Sequence, residues 1–308
     1  MVVAISSLLI IMIVVGSSSS NSNMPTVAFA RRLRRRARFN LRGGGGDSHV
    51  QCGKPNPPPA HEQRIIGGEL SYPNEYPWLV WIVTPVKPGL VASCGGSLVS
   101  DRHVITAAHC ATDTRQSTLF FGLYDRRNGG VKAQIRSVVY ASTGHYNPAT
   151  WQFDFAILRL NAPVRFSSAV RPLCLPTKAI GSNSLVGRTL IVAGWGRQWP
   201  SANAQPSDMP RFARVQVAPL NLCMRQFADS HPPVRVGPSN LCVANFKTLE
   251  GPCNGDSGGP ATLVDSNGIH TLVGVVSFGS LNCSLHPPFV FSRVDRYLNL
   301  IRNFMRTY

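Results

Sequence analysis

The chain has 308 residues, 44% of them hydrophobic, with 27 glycines and 24 prolines. That length and apolar content allow one large or two moderate domains around a buried core and set aside a chain disordered throughout, while the Gly and Pro content reads as a loop-rich, β-rich fold. The net charge of +17 is unevenly spread: residues 1–64 carry nine basic residues against two acids, a net +7, which leaves +10 for residues 65–308.

The chain opens with "MVVAISSLLIIMIVVGSSSS". An apolar run of about fifteen residues falls short of the ~20 that a membrane-spanning helix needs. Residues 1–20 therefore read as a secretory signal peptide, cleaved between Gly16 and Asn23 despite the lack of a basic leading region; the alternative is an uncleaved signal anchor. Residues 21–64 read as a basic, proline-rich and disordered pro-segment. Within it, "RRLRRRARFNLRGGGG" (31–46) has no apolar periodicity and repels itself by charge. The run offers a site for basic-specific processing, a solvated tail, or contact with a polyanion through charge alone, without specific nucleic-acid recognition. Next comes the tether "QCGKPNPPPAHEQR" (51–64), which carries one cysteine.

From Ile65 the texture changes. Short β-branched and aromatic runs such as "PWLVWIVT", "FAILRL", "TLIVAGWG" and "TLVGVVSFG", separated by Gly, Pro, Asn and Ser, predict the strands of an all-β barrel or sandwich. Residues 65–308 are read as one domain. Only the tail, "RVDRYLNLIRNFMRTY", has a helical period, with Val294, Leu298, Ile301 and Met305 on one apolar face. Eight cysteines stand at 52, 94, 110, 174, 223, 242, 253 and 283. An even count behind a signal peptide implies an oxidising compartment and up to four disulfides, with the pairing left open by spacing. No C-x-x-C pair occurs, which argues against a zinc ribbon or a redox motif.

Three short motifs carry chemistry. "ITAAHC" sets His109 beside Cys110; "WQFDFAILRL" sets Asp154 just before an apolar strand, where an unpaired carboxylate is costly to bury; "EGPCNGDSGGP" surrounds Ser257 with glycines that let backbone amides approach a substrate. A serine hydroxyl is a weak nucleophile until a base takes its proton, and histidine, with an ordinary pKa of ~6.5, suits that task near neutral pH. The order His, Asp, Ser is one of the orders in which such a triad occurs.

Taken together, "RIIGG", "TAAHC", "DFAIL", "GWG", "GDSGGP" and "SFG" run in the order found in the trypsin/chymotrypsin-type serine endopeptidases, which residues 65–308 resemble. The resemblance implies two packed antiparallel β-barrels with the active-site cleft between them and a C-terminal α-helix. It implies His109 as general base and Asp154 as its orienting carboxylate, both from the first barrel, with Ser257 as nucleophile from the second. Backbone N–H groups of Gly255 and Ser257 would form the oxyanion hole, and Ser277 and Gly279 would lie on the strand that pairs with substrate. Implied disulfides are Cys52–Cys174, Cys94–Cys110, Cys223–Cys242 and Cys253–Cys283. "EQRIIGG" resembles a zymogen activation site: cleavage after Arg64 would free the Ile65 ammonium to pair with Asp256.

Two positions bear on specificity. Gly251 stands where trypsin-type relatives carry an aspartate, so a substrate cation would lack a partner; Glu250 beside it is read as facing away. Phe289, in "HPPFVFSRV", stands where relatives often have glycine and would narrow or cap the pocket. The expected substrate is a protein or peptide cut after small or apolar residues, which calls for a separate trypsin-like protease as activator. The loop "GLYDRRNGGVKAQ" offers too few oxygen ligands for calcium, and no cofactor is expected. The expected protein is secreted, extracellular and monomeric. The competing reading is a catalytically silent homologue that acts as a binding or cofactor protein.

Overall fold

The computed structural model describes residues 50–58, 69–88, 90–112, 116–128, 133–181, 184–197, 205–230, 233–244, 251–279 and 288–308. Arg64, Ile65, Glu250 and Cys283, and the segments read as signal and basic pro-segment, lie outside the described residues. Asp47–Tyr308 form one compact unit.

In chain order the strands are β1 (Glu69–Leu70), β2 (Leu79–Lys87), β3 (Leu90–Leu98), β4 (His103–Thr106), β5 (Thr118–Phe121), β6 (Gln134–Ser142) and β7 (Ala156–Leu160). They continue with β8 (Thr189–Gly194), β9 (Arg211–Ala218), β10 (Asn240–Ala244), β11 (Pro260–Val264), β12 (His270–Phe278) and β13 (Phe289–Arg293). Among the described residues the α-helices are α1 (Leu220–Gln226) and α2 (Leu298–Thr307). The first barrel closes in the order β2-β3-β4-β7-β6-β5. The second runs β9-β10-β13-β12-β11-β8 and closes through the β9–β8 pairing, with β1 added along β9. All pairings among these strands are antiparallel. The protein is thus all-β, with the two barrels and the C-terminal helix that the resemblance implies.

The strand alternation follows the pleat. In β9, Ala213, Val215 and Val217 are buried while Arg214 and Gln216 are exposed, because successive side chains point to opposite faces. The core of the first barrel is continuous with Trp195, Leu272 and Val275 of the second half and with Leu298, Ile301 and Phe304 of α2. That last residue corrects the expected helix face. Val294 sits buried in a 3-10 turn ahead of α2, and Phe304, more deeply than half-buried Met305, carries the apolar stripe. Among the described residues no helix is long and apolar enough to cross a membrane.

The barrels meet at the glycine pair after Ser257. Gly95 N–H donates to the Ser257 carbonyl at 2.7 Å, and Thr106 Oγ1 donates to the Gly95 carbonyl at 2.8 Å. Gly258 has φ +79°, and a Cβ there would collide with Thr106 Oγ1 and stand 2.5 Å from Gly95 O. These glycines therefore permit barrel contact as well as backbone freedom beside the serine.

Disulfides join Cys52 to Cys174, Cys94 to Cys110 and Cys223 to Cys242. Cys253 is also disulfide-bonded; Cys283, its implied partner, lies outside the described residues. Within the stretch read from sequence as a disordered tether, residues around Cys52 run against the body of the protein. Gly53 N–H donates to Pro172 O, His270 N–H to Gly53 O, and Asn56 Nδ2 bridges the carbonyls of Asn74 and Ser168 at 2.6 and 2.7 Å.

Candidate active site

His109 lies on a 3-10 turn, Ala108–Ala111, directly after β4. Asp154 lies just before β7 and is completely buried. Its Oδ1 accepts the His109 backbone N–H at 2.9 Å, and its Oδ2 accepts His109 Nδ1–H at 2.8 Å and the Ser277 hydroxyl at 2.5 Å. The Ser292 hydroxyl donates to the Asp154 carbonyl. Burial pushes the Asp154 carboxyl upward, but the charge of His109 and the hydrogen bonds from His109 and Ser277 outweigh it, and the group titrates below the ordinary carboxylate range. With Nδ1–H committed to the carboxylate, the lone pair of the neutral ring sits on Nε2. Among the described residues the hydrogen-bond-range neighbour of Nε2 is Cys110 Sγ, at 3.5 Å. The Trp151 ring covers one side of the imidazole, with ring centroids 5.2 Å apart.

Ser257 lies on the turn-rich segment that leads into β11, and it lines the same cavity as His109. The segment is pinned by three of its amides. Asp256 N–H donates to Cys253 O, Gly258 N–H to Val276 O and Gly259 N–H to Asp256 O. Gly255 and Ser257 differ: among the described residues neither amide has an acceptor. Gly255 has φ +104°, a region that side-chain-bearing residues rarely enter. Two spare donors flanking a serine are what a developing oxyanion needs.

Asp256 turns the other way. Its carboxylate accepts Gly196 N–H at 2.8 Å and Cys253 N–H at 3.0 Å. A Cβ on Gly194 or Gly196 would collide with it, so the "GWG" glycines form its cradle. No cation among the described residues pairs with it. Burial pushes its carboxyl up to about 6, against the lowering effect of the two backbone amides.

The cavity has a volume of about 150 Å³ and is bounded by His109, Trp151, Ser257, Phe278, Gly279 and Phe289, among others. Phe289 begins β13, is 5% exposed, and reaches the cavity from the second barrel's core. Phe278 meets Trp151 edge-on at 5.8 Å and Phe227 at 5.4 Å.

A family model described as trypsin matches residues 65–301. The chain belongs to the trypsin family. It is 32% identical over 270 residues to melanization protease 1 of Drosophila melanogaster, in an alignment covering 79% of this chain and 66% of that protein. It is 31% identical over 255 residues to chymotrypsin-C of Rattus norvegicus, covering 80% and 90% of the two chains. With the proclotting enzyme of Tachypleus tridentatus the figures are 31% over 258 residues, covering 79% and 66%. The match thus spans a little under two thirds of the two arthropod relatives and nearly all of the rat one. The catalytic domain of this trypsin-family chain is that of a serine endopeptidase, a hydrolase.

The structure brings His109, Asp154, Ser257 and Ser277 together and sets Gly279 and Phe289 around them, while Gly255 lies two residues before Ser257 and is not among the residues lining the cavity. Gly251 does not line the cavity. Sequence reasoning assigned Ser277 to the substrate strand and missed its hydroxyl bond to Asp154. It also missed Trp151, which reaches His109 from a backbone at φ +57°. The aromatic residue is visible three positions before Asp154 in "WQFD", but nothing in the spelling announces the left-handed turn that swings it over the imidazole.

Proposed function

We propose that the protein is a secreted serine endopeptidase, made as an inactive precursor, that hydrolyses peptide bonds through His109, Asp154 and Ser257. The observation that carries this reading is the His109 imidazole bonded to buried Asp154 on the wall of the cavity that Ser257 also lines.

In this reading His109 Nε2 takes the Ser257 hydroxyl proton as Oγ attacks the substrate carbonyl carbon. The hydroxyl bond to Nε2 forms on substrate binding, since catalytic hydrogen bonds in free enzymes are often loose. The tetrahedral oxyanion accepts the spare N–H groups of Gly255 and Ser257. His109 then gives its proton to the leaving amine, and the acyl-serine is hydrolysed by water with His109 again acting as base. Asp154 stabilises the imidazolium throughout without itself being protonated, which its lowered pKa favours.

Activation is cleavage after Arg64. The new Ile65 ammonium pairs with Asp256, whose buried carboxylate has two backbone donors and a raised pKa in the uncut chain. Residues 1–20 serve as the signal peptide and 21–64 as the pro-segment, whose Cys52 remains tied to the catalytic domain through Cys174. Substrates are proteins or peptides cut after small or apolar residues. The enzyme therefore depends on a separate trypsin-like protease for its own Arg64 bond.

The test is peptide hydrolysis by protein cut after Arg64. Cut wild-type protein is expected to turn over peptide substrates, with Ser257→Ala reduced about 10⁴- to 10⁶-fold. Equal hydrolysis by the two proteins would refute the reading.

A further inference from the structure

The turn that follows β5 in the first barrel, residues 124–127, reaches across to the segment that leads into β9 of the second. Arg126 makes most of that contact. Its Nε donates to the Ser207 carbonyl at 2.8 Å and its Nη2 to the Pro206 carbonyl at 2.9 Å, while its backbone N–H donates to Asp208 O at 2.9 Å. The guanidinium carbon stands 5.4 Å from the centroid of the Trp81 ring on β2, and Nη2 is 3.6 Å from the Asp208 carboxylate. With 17% of the side chain exposed, Arg126 is a bolt between the barrels rather than a solvated charge.

What Arg126 grips is in turn what holds Asp256. Ser207 N–H donates to Trp195 O at 3.0 Å and to Gly196 O at 3.2 Å, and Pro206 bridges Arg197 in antiparallel register. Gly196 N–H then donates to Asp256 Oδ1 at 2.8 Å, and Arg197 N–H to Asn254 O at 2.9 Å. The turn has a second hold on the same bend, because Trp195 Nε1–H donates to Tyr124 O at 3.2 Å. The Tyr124 hydroxyl donates to Ser71 O, directly after β1, at 3.0 Å. Residues 124–126 therefore touch both the cradle of Asp256 and the chain that runs on from Ile65.

We infer that Arg126 is a positioning residue for the activation switch: by gripping the Pro206 and Ser207 carbonyls, it fixes the bend at Trp195 and Gly196 against which the Asp256 carboxylate is held. It touches no substrate and acts through Asp256. The inference rests on the reading of Asp256 as the partner of the Ile65 ammonium. The grip calls for arginine, since a guanidinium presents its donors in a rigid planar fork that can span two carbonyls and pack on an aromatic face, whereas an ammonium is a point charge. Carbonyls left without their donors would be drawn towards water, and the Ser207 amide with them. Arg127, the next residue, is engaged differently: it bonds Asp125 through Nε and Nη2 and is 62% exposed. Among the described residues the ionisable groups acting on the Arg126 guanidinium are Asp208 and Asp125.

The experiment uses full-chain protein cleaved after Arg64 and measures kcat and KM on a peptide substrate across pH. Wild type is compared with Arg126→Met, Arg126→Lys, Arg127→Met, Asp256→Asn and the Arg126→Met/Asp256→Asn double variant. Methionine keeps an unbranched stem against Trp81 and loses the fork. Arg126→Met is expected to lower kcat about ten- to a hundredfold with KM little changed, and Arg126→Lys to fall between it and wild type. A loosened cradle pairs the Ile65 ammonium less well and raises its pKa less, so the alkaline limb of kcat should move to lower pH while the acid limb, set by His109, stays in place. In the Asp256→Asn background the methionine should cost less than about twofold, because the switch it serves is already lost, and Arg127→Met should leave kcat unchanged. Wild-type kcat in Arg126→Met, or a loss that multiplies in full with that of Asp256→Asn, overturns the inference and leaves the endopeptidase reading standing. If Arg126→Met does not fold, Arg126→Lys decides alone, and wild-type kcat with an unmoved alkaline limb overturns the inference. Full activity of Asp256→Asn overturns the switch and the inference with it. Cut wild-type protein that hydrolyses no peptide overturns the proposed function itself.

Discussion

The two halves of the cleft each present an aspartate with a desolvated carboxyl, and the two are shifted in opposite directions from the ordinary range. On the first-barrel side, Asp154 has three donors and a histidine beside it, and its carboxyl is held below the ordinary range. On the second-barrel side, Asp256 has two backbone amides, no cation among the described residues, and a carboxyl raised to about 6. Burial acts on both. What separates them is the company each keeps: Asp154 has a histidine able to carry positive charge and a hydroxyl donor, whereas among the described residues Asp256 has backbone amides alone. In the proposed reading, the His109 side is assembled before cleavage, and the Ser257 side gains its counter-charge when cleavage frees the Ile65 ammonium.

The comparison can be broken from either side. The largest effect is expected at the base: His109→Ala should reduce kcat by about 10⁶-fold in the cut protein, as loss of a triad base does elsewhere. Next comes the orienting acid. Asp154→Asn should cost about 10⁴-fold in kcat with KM little changed, because the amide favours the wrong imidazole tautomer. Retention of wild-type kcat would mean that the Asp154–His109 bond is structural only.

On the other side, Asp256→Asn in the cut protein should lower kcat by about 10²–10³-fold, the cost of a disordered oxyanion donor. Full activity would sink the switch. The smallest effect expected is thermodynamic and concerns the uncut chain. A carboxyl whose folded pKa lies above its unfolded value binds a proton more tightly when folded, so the native state loses stability as pH rises from about 4 to about 6 and stays penalised above that. A shift from 3.8 to about 6 corresponds to about 3 kcal/mol at ~1.4 kcal/mol per unit. Asp256→Asn should remove that loss in denaturant titrations above pH 6 and change little below pH 4.

His103 and His270 act in the opposite sense over the same window. Burial lowers both to about 4, so their contribution is present at neutral pH and lost as pH falls from 6.5 towards 4. The difference between wild type and the Asp256 variant cancels that background. An Asp256→Asn difference that does not change with pH would contradict the assignment of an uncompensated carboxylate.

What is legible in the sequence follows from how local each requirement is. The residue types at His109, Asp154 and Ser257 can be read because the proposed catalysis demands those side chains, and the strands can be read because "PWLVWIVT" and "TLVGVVSFG" spell short apolar runs between turns. The face of α2 is legible to within one residue, since its period is regular; choosing Phe304 over Met305 depends on Tyr140 and His103, which only the folded barrel brings to it. Contacts made across the chain are not spelled locally. Gly258 is read beside a serine but is also required by Thr106 and Gly95. Gly251 is read as a missing acid, whereas its space is filled by Phe289. Trp151 depends on a positive φ that no motif marks.

The central claim, that Ser257 is the activated nucleophile of a site completed by cleavage after Arg64, has a direct test. Uncut and cut protein are treated with an active-site serine phosphonate, and the modified peptide is located by mass spectrometry. The account predicts near-stoichiometric labelling of Ser257 in the cut protein, with none in His109→Ala and far slower labelling of the uncut chain. Labelling that is absent from the cut protein, or that falls on another serine, would contradict it.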